Sequence, residues 1–571
     1  MNKQWWKESV VYQIYPRSFQ DSNHDGIGDL GGILNRLDYL KNLGVDIVWL
    51  CPIYDSPNVD NGYDIRNYEE ILDTFGTMED FDKLLDGLHD RGMKLVMDLV
   101  VNHTSDQHAW FQEALKSRDN PYHDYYIWQD GTPDQLPNNW ESHFSGSVWE
   151  YVPHLGQYYL HIFSKQQPDL NWKNPEVRKS VKKMMRFWLD KGVDGFRMDT
   201  INFLSKTDGY PSVEGVEGLV RAHRYYQNGP LIHDYLKELY RDVLVDYDIM
   251  TVGETPNVSP EVAKLYVGND REELNMIFQF EHMAVDSGPR NKWDLIPWNF
   301  VKFKEIMSKW QTTLHGCGWN SLYLSNHDQP RPLGRFADDG VYRVQSAKLL
   351  GTMTHTMEGT PYIYQGEELG MVNVRFSDIS DYQDVQTVNL YADLSAKGAP
   401  HAEIMQKIYV KGRDNARTPM QWSRDRFAGF SDVQPWLGVN PSYLAINAAD
   451  QEDDPNSVLA YYRTLIQMRK CYSVFVYGDF QDCLPEHPQL YAYRRTLGDE
   501  QAFVILNFSN QEVPFWSPDE INLDRYKILL CNEELPQNNN EALRPYEARV
   551  YYYKEDGVQH HHYGGGAVLP Q

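Results

Sequence analysis

Eight short apolar runs punctuate the chain between residues 10 and 366: VVYQIYP, DIVWLCPI, KLVMDLV, GFRMDT, DIMTVGE, NMIFQF, SLYLSN and TPYIYQG. Helix-like segments lie between them, and eight strands alternating with helices predict a (β/α)8 TIM barrel. Four of the runs lead to an acid: Asp98 follows KLVM, Asp199 closes GFRMD, Glu254 closes IMTVGE and Asp328 follows SLYLSNH. A carboxylate at the end of a buried strand is costly to desolvate unless it is paired or used. Several of them at the same end of successive strands form the layout of a barrel's catalytic mouth.

The helices are marked by their ends. Thr77 and Asp80 form a capping-box pattern, followed by Phe81, Leu84, Leu85 and Leu88 at helical spacing. Asn174 and Pro175 give an N-cap and a first-turn proline; Val177, Val181, Met184 and Trp188 follow on one face, and Gly192 ends the helix. The alternation breaks twice. Residues 104–171 read as a domain inserted after the third strand, within a barrel made of 1–103 and 172–477. Residues 370–454 form a second irregular excursion after the eighth strand. Short alternating runs from 478 to 556 predict a C-terminal antiparallel β domain, taken as a sandwich. The tail 557–571, with His560 to His562, has no core-forming pattern and is expected to be disordered.

A formal charge of −27 repels polyanions, so neither nucleic acid nor an anionic membrane surface is an expected partner. No run approaches the roughly 18 apolar residues a membrane span needs. Cys51, Cys317, Cys471, Cys483 and Cys531 are odd in number and scattered, which suggests reduced thiols and a cytoplasmic location. A monomer or homodimer is expected.

DLVVNH, GFRMD, VGE and SNHD, in that order, resemble the signature segments of the α-amylase superfamily of glycoside hydrolases. Gln167-Pro168-Asp169-Leu170-Asn171 resembles the form found in its oligo-1,6-glucosidase and α-glucosidase branch. The similarity runs from WWKESVVYQIYPRSF through GRDNARTPMQW to about residue 554. The resemblance implies Asp199 as nucleophile, Glu254 as general acid/base and Asp328 as the acid that holds sugar hydroxyls. Retention needs two carboxyl groups about 5–5.5 Å apart. Arg197, two residues before Asp199 on the same strand face, is expected to keep Asp199 ionised and lower its pKa. Burial and neighbouring carboxylates should raise that of Glu254. Asp98 is expected to support the site through Arg197 and Tyr63.

The same resemblance implies His103 and His327 as hydrogen-bonding partners of the sugar. Asp60, Tyr63 and Arg413 become the clamp on its non-reducing end, which favours exo cleavage. Phe144 and Phe163 are candidate apolar walls. Thr200 resembles the residue found in branch members that prefer α-1,4 links, where α-1,6 enzymes have Val. That points to a maltase-type α-glucosidase acting on small oligosaccharides such as maltose, with transglucosylation as a side activity. An oligo-1,6-glucosidase and a trehalose-6-phosphate hydrolase are alternatives on the same scaffold. A non-catalytic binding protein or transporter partner is the alternative of another class. Asp21, Asn23, Asp25, Asp29 and the Ile27 carbonyl, with a turn at Gly26, have EF-hand-like spacing, although position twelve is Gly32. Related α-glucosidases place a structural Ca2+ in this loop. No organic cofactor is implied.

Overall fold

All eight runs form strands: β1 (Val11–Ile14), β2 (Ile47–Leu50), β3 (Lys94–Leu99), β4 (Gly195–Met198), β5 (Met250–Glu254), β6 (Met276–Phe278), β7 (Ser321–Leu322) and β8 (Thr360–Tyr364). They are hydrogen-bonded in the order β6–β5–β4–β3–β2–β1–β8–β7, and every pairing is parallel. The seam between the two end strands is bridged by Ser321 Oγ, which donates to the Ile277 carbonyl at 2.7 Å. The fold is thus a TIM barrel, seen in a computed structural model that describes residues 2–555 and the backbone of 560–563 and 567–570.

Helices wrap the barrel where the periodicity places them. Met78–Asp90 begins with the Thr77–Asp80 capping box and buries Phe81, Leu84, Leu85 and Leu88. Pro175–Lys191 begins at Asn174 and stops at Gly192, whose φ of 109° suits a left-handed C-cap. At the start of β4, Gly195 lies so close to β5 that a Cβ would stand 2.0 Å from the Met250 carbonyl oxygen.

Within 104–171 a three-stranded antiparallel sheet, Trp128–Asp130, Gln157–Leu160 and Trp149–Val152, has its own aromatic core. That core is completed by Phe203, Ala222 and Tyr226 from the stretch after β4. The excursion after β8 is not wholly irregular: Val385–Ala396 and His401–Lys411 are helices. The first fully buries only Thr387, while Leu390, Tyr391 and Leu394 pack part-buried on Ile404, Met405 and Ile408 of the second.

At the C-terminus a five-stranded antiparallel sheet forms, and its two faces pack differently. The reason lies in its alternation. Tyr491, Tyr493, Val504, Leu506 and Val550 join the main core, while Leu490, Ala492, Phe503, Ile505 and Tyr551 close a smaller one beneath loops. One face of the sheet is thus part of the main core. In the tail, His560–Tyr563 pairs with Ala567–Pro570 as an antiparallel ribbon. The rest of the tail, and the histidine side chains, lie outside the described residues. Among the described residues no helix is long and apolar enough to cross a membrane, and all five cysteines are free.

Candidate active site

Arg197 is the centre of the barrel mouth. Its position on β4 is opposite Asp98 on β3 and Val252 on β5, so its side chain meets acids from both neighbours. Nη1 lies 2.8 Å from Asp98 Oδ1 and 2.8 Å from Asp199 Oδ1, and Nη2 lies 2.6 Å from Glu254 Oε2. Asp98 also accepts from Trp49 Nε1 and Tyr63 OH, both at 3.0 Å, and is fully buried beneath the site.

One guanidinium therefore serves three carboxylates, and this reverses an expectation. Burial first, then the adjacent Glu254, raises the Asp199 pKa well above the usual carboxylate range despite Arg197. Burial raises Glu254 too, with Arg197 opposing. Carboxyl groups that share one cation titrate as a unit, and their burial favours the protonated form of either.

Asp328 behaves oppositely. It sits on the loop beyond β7, with Oδ1 3.2 Å from Arg413 and 3.1 Å from Arg417. Against the cost of burial, His327 and these arginines hold its pKa well below the usual range. Burial pushes His327 itself down to about 3. The ring is neutral at working pH, so the arginines supply the stabilising charge.

The far wall is a second ion cluster. Arg413 Nη2 lies 3.1 Å from Asp60 Oδ1, and Arg413 binds Asp384 through two nitrogens, at 3.0 and 2.6 Å. Asp384 is wholly buried. It also caps the helix Val385–Ala396 by accepting from the Gln386 N–H, which ties the excursion after β8 to the site. Sequence reasoning missed Asp384, since its local surroundings, DYQDVQT, show nothing of the arginine it meets.

Asp60, Tyr63, His103, Phe144, Phe163, Asp199, Thr200, Glu254, Asp328 and Arg413 all line one cavity of about 270 Å3. Arg197 and His327 lie behind it. His327 stacks on Tyr63, with centroids 5.1 Å apart and planes at 6°, and Gln13 Nε2 donates to its Nδ1 at 2.8 Å. Its Nε2 is 3.2 Å from Asp328 Oδ2 but not aligned for a hydrogen bond, which leaves a donor beside the cavity. Phe144 lies under the Arg413 guanidinium at 5.4 Å, and Phe163 stacks on Phe203 at 5.6 Å. Phe203, His143, Lys292, Gln329 and Gln386 also line the cavity and carried no sequence signal of their own.

Thr200 is not a strand residue. At φ 40°, ψ 40° it is left-handed and opens a short 3-10 turn, a strained place for a β-branched residue. The turn aims its N–H at Glu254 Oε1, 3.1 Å away.

The loop after β1 brings Asp21, Asp25 and Asp29 together, with carboxylate oxygens within 4.8 Å of one another. Asp21 accepts from the N–H groups of Asn23, His24 and Gly26 and from Ser431 Oγ. The Ile27 N–H donates to Asp25 Oδ1 at 2.9 Å. One amide terminus of Asn23 faces Asp21, Asp25 and Asp29 at 2.8–3.3 Å. An oxygen there has only acceptors for neighbours, the arrangement a hard cation between them makes favourable. A nitrogen there bonds all three aspartates without one. The donor set fits Ca2+, and none of its members lines the catalytic cavity.

Known proteins share this architecture throughout. The α-amylase catalytic-domain profile matches residues 13–478. An oligo-1,6-glucosidase of Parageobacillus thermoglucosidasius is 58% identical over 557 residues, 96% of this chain and 99% of that one. An α-glucosidase of Pediococcus pentosaceus is 49% identical over 558 residues, 96% and 98% of the two chains. The crystal structure of a Bacillus licheniformis trehalose-6-phosphate hydrolase superposes with a TM-score of 0.92 at 46% identity, covering 97% of this chain and 100% of that one. The chain belongs to the α-amylase family of glycoside hydrolases, in its glucosidase branch.

Proposed function

We propose that the chain is an exo-acting, retaining α-glucosidase that releases glucose from the non-reducing end of short α-glucosides, α-1,6-linked ones above all. The observation that carries this is the cavity itself. Asp199 and Glu254 share its floor, bridged by one guanidinium, and the Asp60–Arg413–Asp384 cluster forms its far wall. Such a wall suits a chain end rather than a passing polymer.

Asp199 attacks the anomeric carbon as Glu254 gives its proton to the departing oxygen, leaving a glucosyl ester on Asp199. Glu254 then takes a proton from water, whose oxygen displaces the carboxylate, so the anomer is retained. Carboxylates held by adjacent nitrogens of one guanidinium suit the short separation this route needs. Asp328, kept ionised by Arg413 and Arg417, is placed to hold sugar hydroxyls and to balance positive charge at the transition state. A sugar hydroxyl in place of water gives transglucosylation.

The oligo-1,6-glucosidase relatives support the α-1,6 preference. Thr200 favours a second reading, α-1,4 cleavage as in a maltase, because its hydroxyl adds polarity to the cavity wall beside the nucleophile. Initial glucose release from isomaltose, maltose and trehalose-6-phosphate, with Asp199→Asn as blank, decides between them. Isomaltose fastest upholds the first reading, and maltose fastest the second. β-Glucose as first product refutes the retaining mechanism. Thr200→Val should move the isomaltose-to-maltose ratio upward; an unchanged ratio removes Thr200 from the specificity argument. The aspartate loop is proposed to hold a structural Ca2+. A reducing, cytoplasmic location suits the five free cysteines.

A further inference from the structure

Lys206 lies behind the catalytic cavity and has no part in the chemistry above. It follows the nucleophile by seven residues in the chain, and its side chain is only 3% exposed. Nζ lies 2.9 Å from Asp169 Oδ2 and donates to Asn102 Oδ1 at 2.8 Å. Asp169, fully buried, also accepts from the Ile162 N–H at 3.0 Å and from Asn102 Nδ2 at 3.2 Å.

This ion pair fixes an amide that could otherwise face either way. An ammonium only donates and a carboxylate only accepts. Asn102 must therefore turn Oδ1 to Lys206 and Nδ2 to Asp169. The same Nδ2 stands 3.2 Å from Nδ1 of His103, so that ring nitrogen accepts. Burial holds His103 at a pKa of about 4, so the ring is neutral and its one proton sits on Nε2. Nε2 faces the Tyr63 carbonyl at 2.9 Å, on the cavity wall. Gln167 Nε2 is 3.4 Å from the same nitrogen, but two donors meet there, and Gln167 is satisfied by the Tyr63 carbonyl at 3.0 Å.

We propose that Lys206 is a positioning residue: by orienting Asn102 it holds His103 as the Nε2–H tautomer, whose proton goes to the Tyr63 carbonyl and so fixes the ring edge that lines the sugar cavity. The kinetic consequence rests on the proposed α-glucosidase function, with the sugar meeting His103 in the cavity that it lines; the tautomer does not.

The test combines spectroscopy with a mutant cycle. In protein labelled with 15N-histidine, the signals lost in His103→Gln identify the ring, and they should show protonated Nε2 and bare Nδ1. Asn102→Asp keeps the Lys206 contact but sets an acceptor against Nδ1, and should move the proton there. Lys206→Met should lower kcat/KM about three- to tenfold, mostly through KM. In the His103→Gln background the same change should have little further effect, and Lys206→Arg should restore most of the loss. A wild-type ring protonated on Nδ1 overturns the proposal. So does a Lys206→Met effect of equal size in both backgrounds, which marks a structural role only. If His103→Gln leaves KM unchanged, the sugar-binding reading of His103 fails, and the tautomer still decides the case for Lys206.

Discussion

Replacing Arg197 with glutamine removes the cation that touches Asp98, Asp199 and Glu254 at 2.6–2.8 Å. The guanidinium is 1% exposed, so water cannot take its place. Removing one partner of a buried pair costs about 3–5 kcal/mol. Expressed as titration, that is roughly two to four pKa units spread over three carboxyl groups. The shift is upward, because the acids lose the charge that favoured their ionised forms. Groups whose pKa is raised by folding cost no stability below their unfolded values, about 4, where both states are protonated. The deficit opens as pH climbs through the raised folded values. In the wild type the raised pKa of Asp199 sets the same direction, and Arg197→Gln should steepen the slope. Activity should respond in the opposite sense, since the nucleophile must be ionised and recovers only at higher pH. Thermal unfolding and kcat/KM of both proteins at pH 5 and pH 8 test the argument. The variant should melt nearly like wild type at pH 5 and well below it at pH 8, while its residual activity rises over the same interval. An equal deficit at both pH values would refute the reasoning, leaving only the space vacated by the shorter side chain.

The remaining expectations concern single contacts. Glu254→Gln should lower kcat/KM on isomaltose by about 10²–10⁴ but harm the first step on a p-nitrophenyl α-glucoside far less, because that leaving group needs no proton; equal losses argue against the acid role. Asp384→Asn removes the carboxylate that grips Arg413 through two nitrogens, and should cost about 1.5–3 kcal/mol of substrate binding, read as a raised KM with a smaller change in kcat. Saturating Ca2+ should raise the melting temperature by an amount set by mass action, about 2.7 kcal/mol at a hundredfold excess over Kd, with kcat unaltered. Asp25→Ala should abolish that response, and a melting temperature indifferent to Ca2+ and to chelator would remove the ion from the loop.

What could be read from the sequence divides by range. Strands buried on both faces are apolar runs in any context, so all eight were visible, even β7, with only two residues paired. Helix ends were visible because a cap acts within one turn: Thr77 and Asp80 need only each other. Asp384 was invisible because its meaning depends on Arg413, which arrives from a separate turn. The sign of the Asp199 shift was misjudged for a related reason. Alternation on β4 puts Arg197 on the face of Asp199, but only the neighbouring strands reveal that Asp98 and Glu254 claim the same cation. The excursion after β8 hid its first helix because Val385–Ala396 fully buries only Thr387, its other core contacts being partial.

Gly195 sets a tolerance on the whole machine. The residue faces the Met250 carbonyl across the β4–β5 interface, and two and four positions further along the same strand run stand Arg197 and Asp199, while four beyond Met250 stands Glu254. Even a methyl group at 195 must wedge the two strands apart at their base. The error would be carried along both strands to the place where nucleophile and acid have to agree within a fraction of an ångström. Drift at a position remote from any sugar would thus register as lost turnover before it registered as lost fold.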